Sequence, residues 1–157
     1  MRRSGLLITA GVLVAACGGG ADTTDAGSTE APTVVATDTP DPCLLADDST
    51  LTMYFGEAAI QGEPGETGPL VTGRWRDANA NSLPIQVASD HDLYRPDPCE
   101  GCADLTFADE GHATESALQS TATFIVGTTW YSVTTTGFGD DAASIANLAE
   151  TIYLNDT

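Results

Sequence analysis

Apolar residues fall into five groups along the chain, and their spacing differs from group to group. Leu44, Leu45, Leu51, Tyr54 and Phe55 recur at roughly helical spacing, with Asp47 or Asp48 able to cap the start and Gly56 to stop the end. "LVTGRWRD" and "LPIQVAS" then read as two strands around the Asn-rich turn Ala78 to Ser82. In that hairpin Trp75 faces the core, Arg74 and Arg76 face away, and Pro84 stands at the start of its strand. "ALQSTATFIVGTTWYSVTTTG" is the strongest β signal, two runs split at Gly127-Thr128 into a second hairpin. "DDAASIANLAETIYLN" is an amphipathic helix with Ile145, Leu148, Ala149 and Ile152 on one stripe and Asp140 and Asp141 at its positive end. The predicted fold class is α+β: an antiparallel sheet of two hairpins, packed on one face by an N-terminal and a C-terminal helix.

Two segments lack such periodicity. Residues 89–116 form a long connection, of the kind that is usually pinned or functional. Gly18 to Pro40 is Gly, Ala, Thr, Asp, Ser and Pro with one glutamate and one apolar pair, Val34-Val35, too little to bury. As a flexible coil it would reach about 25 Å.

The chain opens differently again. Arg2 and Arg3 precede an uncharged apolar run, Gly5 to Ala16, too short to span a bilayer. These are the flanks and length of an export signal. Val14-Ala15-Ala16-Cys17 follows where a cleavage site belongs, and it resembles the bacterial lipobox. The resemblance implies a diacylglycerol on the Cys17 thiol and cleavage that makes Cys17 the mature N-terminus. The expected organisation is therefore signal peptide 1–16, lipidated cysteine and tether 17–40, and one α+β domain 41–157. Its expected location is the extracytoplasmic side of the cell membrane.

Charge narrows the partners. The formal net charge is −18 over 157 residues, and all five cations are arginine. Loss of Arg2 and Arg3 with the leader would make the chain more acidic still. No basic patch is available for phosphates, which excludes a nucleic-acid partner. Anionic headgroups are equally disfavoured, so the lipid is the expected membrane contact.

If Cys17 carries lipid, Cys43, Cys99 and Cys102 remain as disulfide candidates. In an oxidising compartment one pair is the first expectation, with one thiol left over. Cys43 with Cys99 or Cys102 would close a long loop and contribute about 4 kcal/mol. Cys99-Glu100-Gly101-Cys102 could instead bridge locally. A second reading takes His91, Cys99, Cys102 and His112 as four metal ligands in H-x7-C-x2-C-x9-H. A thiol-redox role lacks a helix opening at Cys99, and Glu100 opposes a thiolate.

Asp77-x-Asn79-x-Asn81 begins like a calcium loop but lacks its glycine and its closing glutamate, so it reads as a turn. No Gly-x-Ser-x-Gly elbow, P-loop or His-Glu-x-x-His occurs. Trp75, Trp130 and Tyr131 are the candidates to line a ligand cleft between sheet and helices.

Asp41-Pro42-Cys43-Leu44-Leu45, the strand Trp75, Gly111-x-Ala113, the late hairpin and Leu148-Ala149 together resemble a family of actinobacterial cell-envelope lipoproteins with a domain of no assigned function. The layout is also similar to sensor-type and PsbP-like α/β domains. The resemblance implies a lipid-anchored, non-enzymatic binding or accessory module that needs no cofactor. Its occupant would be a small apolar ligand or an envelope protein. Family members often carry a second cysteine two residues before the strand tryptophan, paired with the first; here that position is Gly73.

Overall fold

A computed structural model describes residues 39–56, 59–62 and 64–157. The leader, Cys17 and nearly all of the tether read above lie outside the described residues.

The N-terminal helical segment is two helices. Asp41 caps α1 (Pro42–Leu45) by accepting from the Cys43 amide, with Pro42 at the first helical position, where its missing N–H does no harm. Asp47 then takes an extended backbone and accepts from the Thr50 amide at 2.8 Å, which restarts the chain as α2 (Asp48–Phe55). The Thr50 side chain, then its amide and the Ser49 hydroxyl, hold the Asp47 carboxyl below the usual carboxylate range. Gly56, with φ of 62°, ends α2 by donating to the Thr52 carbonyl.

Among the described residues the strands are β1 (Ile60–Gln61), β2 (Gly65–Thr67), β3 (Leu70–Arg76), β4 (Ser82–Ala88), β5 (Ala103–Asp104), β6 (Glu110–Glu115), β7 (Gln119–Val126) and β8 (Thr129–Thr136). They form one antiparallel sheet in the order β1-β3-β4-β8-β7-β6-β5, with β2 also paired to β3. The architecture is thus α+β, but the sheet is not the expected two hairpins alone: β3–β4 and β7–β8, joined along β4 and β8, are extended by β1, β2, β6 and β5. In the β3–β4 turn the Asp77 carboxylate accepts from the Asn79 and Asn81 amides and the Asn81 side chain. Those bonds occupy the group a calcium loop would need.

Pro84 departs from expectation. It is the third residue of β4, a central strand, not its first. The β4–β8 register joins Ser82 to Thr136 and resumes at Ile85 with Val133, so the pairing lapses around the residue that has no amide to give.

Alternation along each strand separates two faces. Trp75, Leu83, Ile85, Val87, Ala113, Ala122, Phe124, Tyr131 and Val133 point to one face and form the core. The buried stripe of α3 (Ala142–Leu154), Ile145, Leu148, Ala149 and Ile152, covers it over β6–β8. α1 covers it over β3 and β4. The opposite face carries Thr72, Gln86, Thr121, Ser132 and Thr134 and a small second cluster, Ala88, Ile125 and Trp130. Tyr94 lies over Trp130 there, ring centroids 5.2 Å apart. Arg95 reaches across to a bidentate pair with Glu110.

Candidate functional site

The cavity of interest lies where α2 meets the start of α3. Two carboxylates precede α3, and they part company. Asp141 caps the helix, accepting from the Ser144 amide at 2.7 Å, and the Ser144 side chain and then that amide lower its pKa. Asp140 is left for other work. Its carbonyl accepts from the Ser120 hydroxyl, which ties the loop to β7. Its side chain turns to the cavity wall, and its Oδ2 is buried with no hydrogen-bond partner among the described residues. A buried acceptor left unpaired costs about 1–3 kcal/mol, more for a charged group. The Tyr54 hydroxyl supplies one donor toward this carboxylate.

Aromatic rings frame that oxygen. Phe138 packs edge-on to Tyr54 at 5.1 Å and to Phe55 at 5.2 Å. The Tyr54 hydroxyl, pushed up to about 12 by burial and then by the Asp140 charge and a hydrogen bond to that side chain, remains a neutral donor at any ordinary pH. Met53, Leu148 and the polar side chains of Ser144, Asn147 and Thr151 complete a cavity of about 430 Å³. That is within the range of small-molecule sites, roughly 300–1,000 Å³. Its wall is mixed: Met53, Phe138, Leu148 and the Tyr54 ring are apolar, and Asp140, Ser144, Asn147 and Thr151 are polar.

The three aromatics expected to line a cleft do not meet. Trp75 and Tyr131 are core residues, 2% and 3% exposed, while Trp130 points to the opposite face of the sheet. Trp75 does border a second cavity, about 390 Å³, with Asp48, Leu51, Thr52 and Ala59. Tyr131 stacks on Phe124 and donates to the Asp156 carboxylate at 2.6 Å; burial and that carboxylate raise its pKa. Strand alternation sends neighbours Trp130 and Tyr131 to opposite faces, so the three residues do not share one cleft.

The cysteines resolve into a local bridge. Cys99 and Cys102 are disulfide-bonded with Cα atoms 5.7 Å apart, and Gly101 between them adopts φ of 82°. Cys43 is a buried thiol on α1, not a partner to either. α1 sits directly on Gly73 of β3, where an added Cβ would stand 3.0 Å from the Pro42 carbonyl carbon. The long staple to Cys43 is therefore absent, and a bridge spanning four residues constrains the unfolded chain by only about 2 kcal/mol.

Of the four expected metal ligands, three come together. The ligand atoms of Cys99, Cys102 and His112 lie within 4.8 Å of one another. His91 is elsewhere: it sits on the 3-10 turn His91–Leu93, its Nδ1 3.4 Å from the Thr128 carbonyl and its Nε2 3.4 Å from Asp92.

Comparison with protein-family models, with curated proteins and with solved structures gave no match to this chain. The resemblance to envelope lipoproteins rests on the motifs quoted above.

Proposed function

We propose that this chain is a lipid-anchored, extracytoplasmic binding module of the cell envelope. It acts without catalysis, and its small ligand occupies the cavity between α2 and α3. The anchor rests on Val14-Ala15-Ala16-Cys17 and on the apolar run before it. The observation that carries the binding reading is the Asp140 carboxylate in the wall of a mixed polar and aromatic cavity, its Oδ2 buried and without a close hydrogen-bond partner among the described residues. The ligand class follows from those walls. An apolar or aryl body packs on Met53, Tyr54 and Phe138, and one hydrogen-bond donor, most strongly a cation, meets Asp140.

Phenethylammonium has both features and serves as a probe. It should raise the melting temperature saturably, and Asp140→Asn should weaken its binding about tenfold, the loss of one charged hydrogen bond. Phenethyl alcohol, neutral and of similar shape, should bind the wild type less tightly than the ammonium does. Equal affinity of wild type and Asp140→Asn for the ammonium would remove the basis of the proposal.

The anchor has its own test. Intact-mass analysis of the membrane fraction, from a host that processes lipoproteins, should find a chain beginning at an acylated Cys17. Cys17→Ser should carry no acyl mass. A wild-type chain with an unmodified Cys17 would overturn the anchoring.

A further inference from the structure

The Cys99–Cys102 bridge joins nothing distant, so long-range stapling does not explain it. Its surroundings are more telling. Cys102 lies just before β5, and β5 pairs with β6 in a register that sets Asp104 opposite His112. That ladder brings an imidazole from ten residues away to the sulfurs. All three ligand atoms converge within 4.8 Å, and Cys102 and His112 are only partly exposed.

We propose that the bridge is the closed, oxidised form of a zinc site, and that reduction opens it to bind Zn2+ through Cys99, Cys102 and His112. A dithiol reductant donates two electrons to the S–S bond and leaves as its own disulfide. The two sulfurs take up two protons as thiols. Zn2+ then displaces both thiol protons and accepts a lone pair from the neutral His112 ring. Two thiolates and one imidazole are three of the four tetrahedral ligands zinc takes, and water completes the set. The ligand atoms of such a set stand within about 4 Å of each other, given Zn–S and Zn–N distances of roughly 2.3 and 2.0 Å. The sulfurs need only part from bonding distance while His112 stays on its strand.

The charge around the site separates metal binding from thiol exchange. A reactive thiolate needs a positive neighbourhood. Here Glu100 lies between the cysteines, Asp104 lies beside His112, and no helix opens at Cys99. The whole chain carries −18. Such a field disfavours a bare thiolate and attracts a cation. The metal supplies the positive charge that the protein does not.

The test uses the full-length chain carrying Cys17→Ser, purified in detergent. One portion is left oxidised; the other is reduced with a dithiol and desalted without oxygen. Each is titrated with Co2+ and then with Zn2+. The reduced chain should take up one Co2+ with a thiolate-to-cobalt charge-transfer band, and Zn2+ should displace it. The oxidised chain should show no band. Cys99→Ser and Cys102→Ser should abolish the band. His112→Gln should weaken binding by at least about tenfold, the loss that even an outer partner of a ligand brings. No band from the reduced chain overturns the proposal, and so does His112→Gln with wild-type affinity. The oxidised-against-reduced comparison needs no substitution at the site, so it decides even if a ligand substitution unfolds the chain.

Discussion

Gly111→Ala is expected to lower the melting temperature by about 12 °C. Gly111 lies on β6 directly opposite Phe124 of β7. A methyl group there would stand 2.6 Å from the Phe124 Cβ, and 2.8 Å from both the Phe124 Cα and the Thr123 carbonyl oxygen. Two of those three atoms are backbone, so no rotamer change relieves the overlap. Either the β6–β7 pairing must open, or Phe124 must leave its place. Phe124 is fully buried, stacked on Tyr131 at 4.9 Å and met edge-on by Phe107 at 5.1 Å. Overpacking of a tight core costs typically 1–3 kcal/mol, and a backbone clash belongs at the upper end, about 3 kcal/mol. At about 4 °C per kcal/mol for a domain of this size, the shift follows. Gly65→Ala is the control: its nearest contact would be an ordinary 3.9 Å to Thr72, and the melting temperature should barely move. A fall at Gly111 no larger than at Gly65 would show that the ladder has room for a side chain.

The elements that could be read from the chain were those whose own residues carry the signal. The stripe Ile145, Leu148, Ala149 and Ile152 has helical period and an aspartate cap, and it is the buried face of α3. β7 and β8 are runs of β-branched and aromatic residues broken at Gly127, and they pair as a hairpin. β6 had no such signal. Its sequence, Glu-Gly-His-Ala-Thr-Glu, buries only Ala113, and it is a strand because β7 pairs along its whole length and α3 covers it. β1, β2 and β5 are two or three residues long, too short to show a period. The break between α1 and α2 was hidden by continuous apolar spacing, though Asp47 carried the capping signal for the restart.

The candidate sites divide in the same way. The C-x2-C pair was visible because its residues are adjacent in the chain. His112 joins it through strand register, while His91 is held by Asp92 and the Thr128 carbonyl on another part of the loop. The cavity draws on residues 53–54, 138–140 and 144–151, which only packing brings together. One clue was present in Phe138-Gly139-Asp140-Asp141. A helix needs one capping aspartate, and the second was available for a ligand.

Trp75→Ala is expected to cost about 3–5 kcal/mol, a large share of the 5–15 kcal/mol that holds a domain folded. Trp75 is 2% exposed and lies in the main core with Leu45, Phe55 and Leu83. It also borders the cavity beneath Asp48, Leu51 and Thr52 of α2. α2 buries only Thr50 and Phe55 of its own residues, so its seat depends on what stands below it. Truncation of Trp75 removes that support as well as leaving a void. The consequence reaches the proposed site, since Met53 and Tyr54 of α2 form part of its wall. Urea titrations should therefore show a large fall in midpoint for Trp75→Ala, with weakened phenethylammonium binding under conditions where it is still folded. Trp130→Ala should do neither to the same degree. It is as large a residue, but it packs on the opposite face with only Ala88, Ile125, Leu70 and Tyr94. If Trp130→Ala proved the more damaging, or if Trp75→Ala left probe binding intact, the core-facing side of the sheet would not be what holds the α2 wall in place.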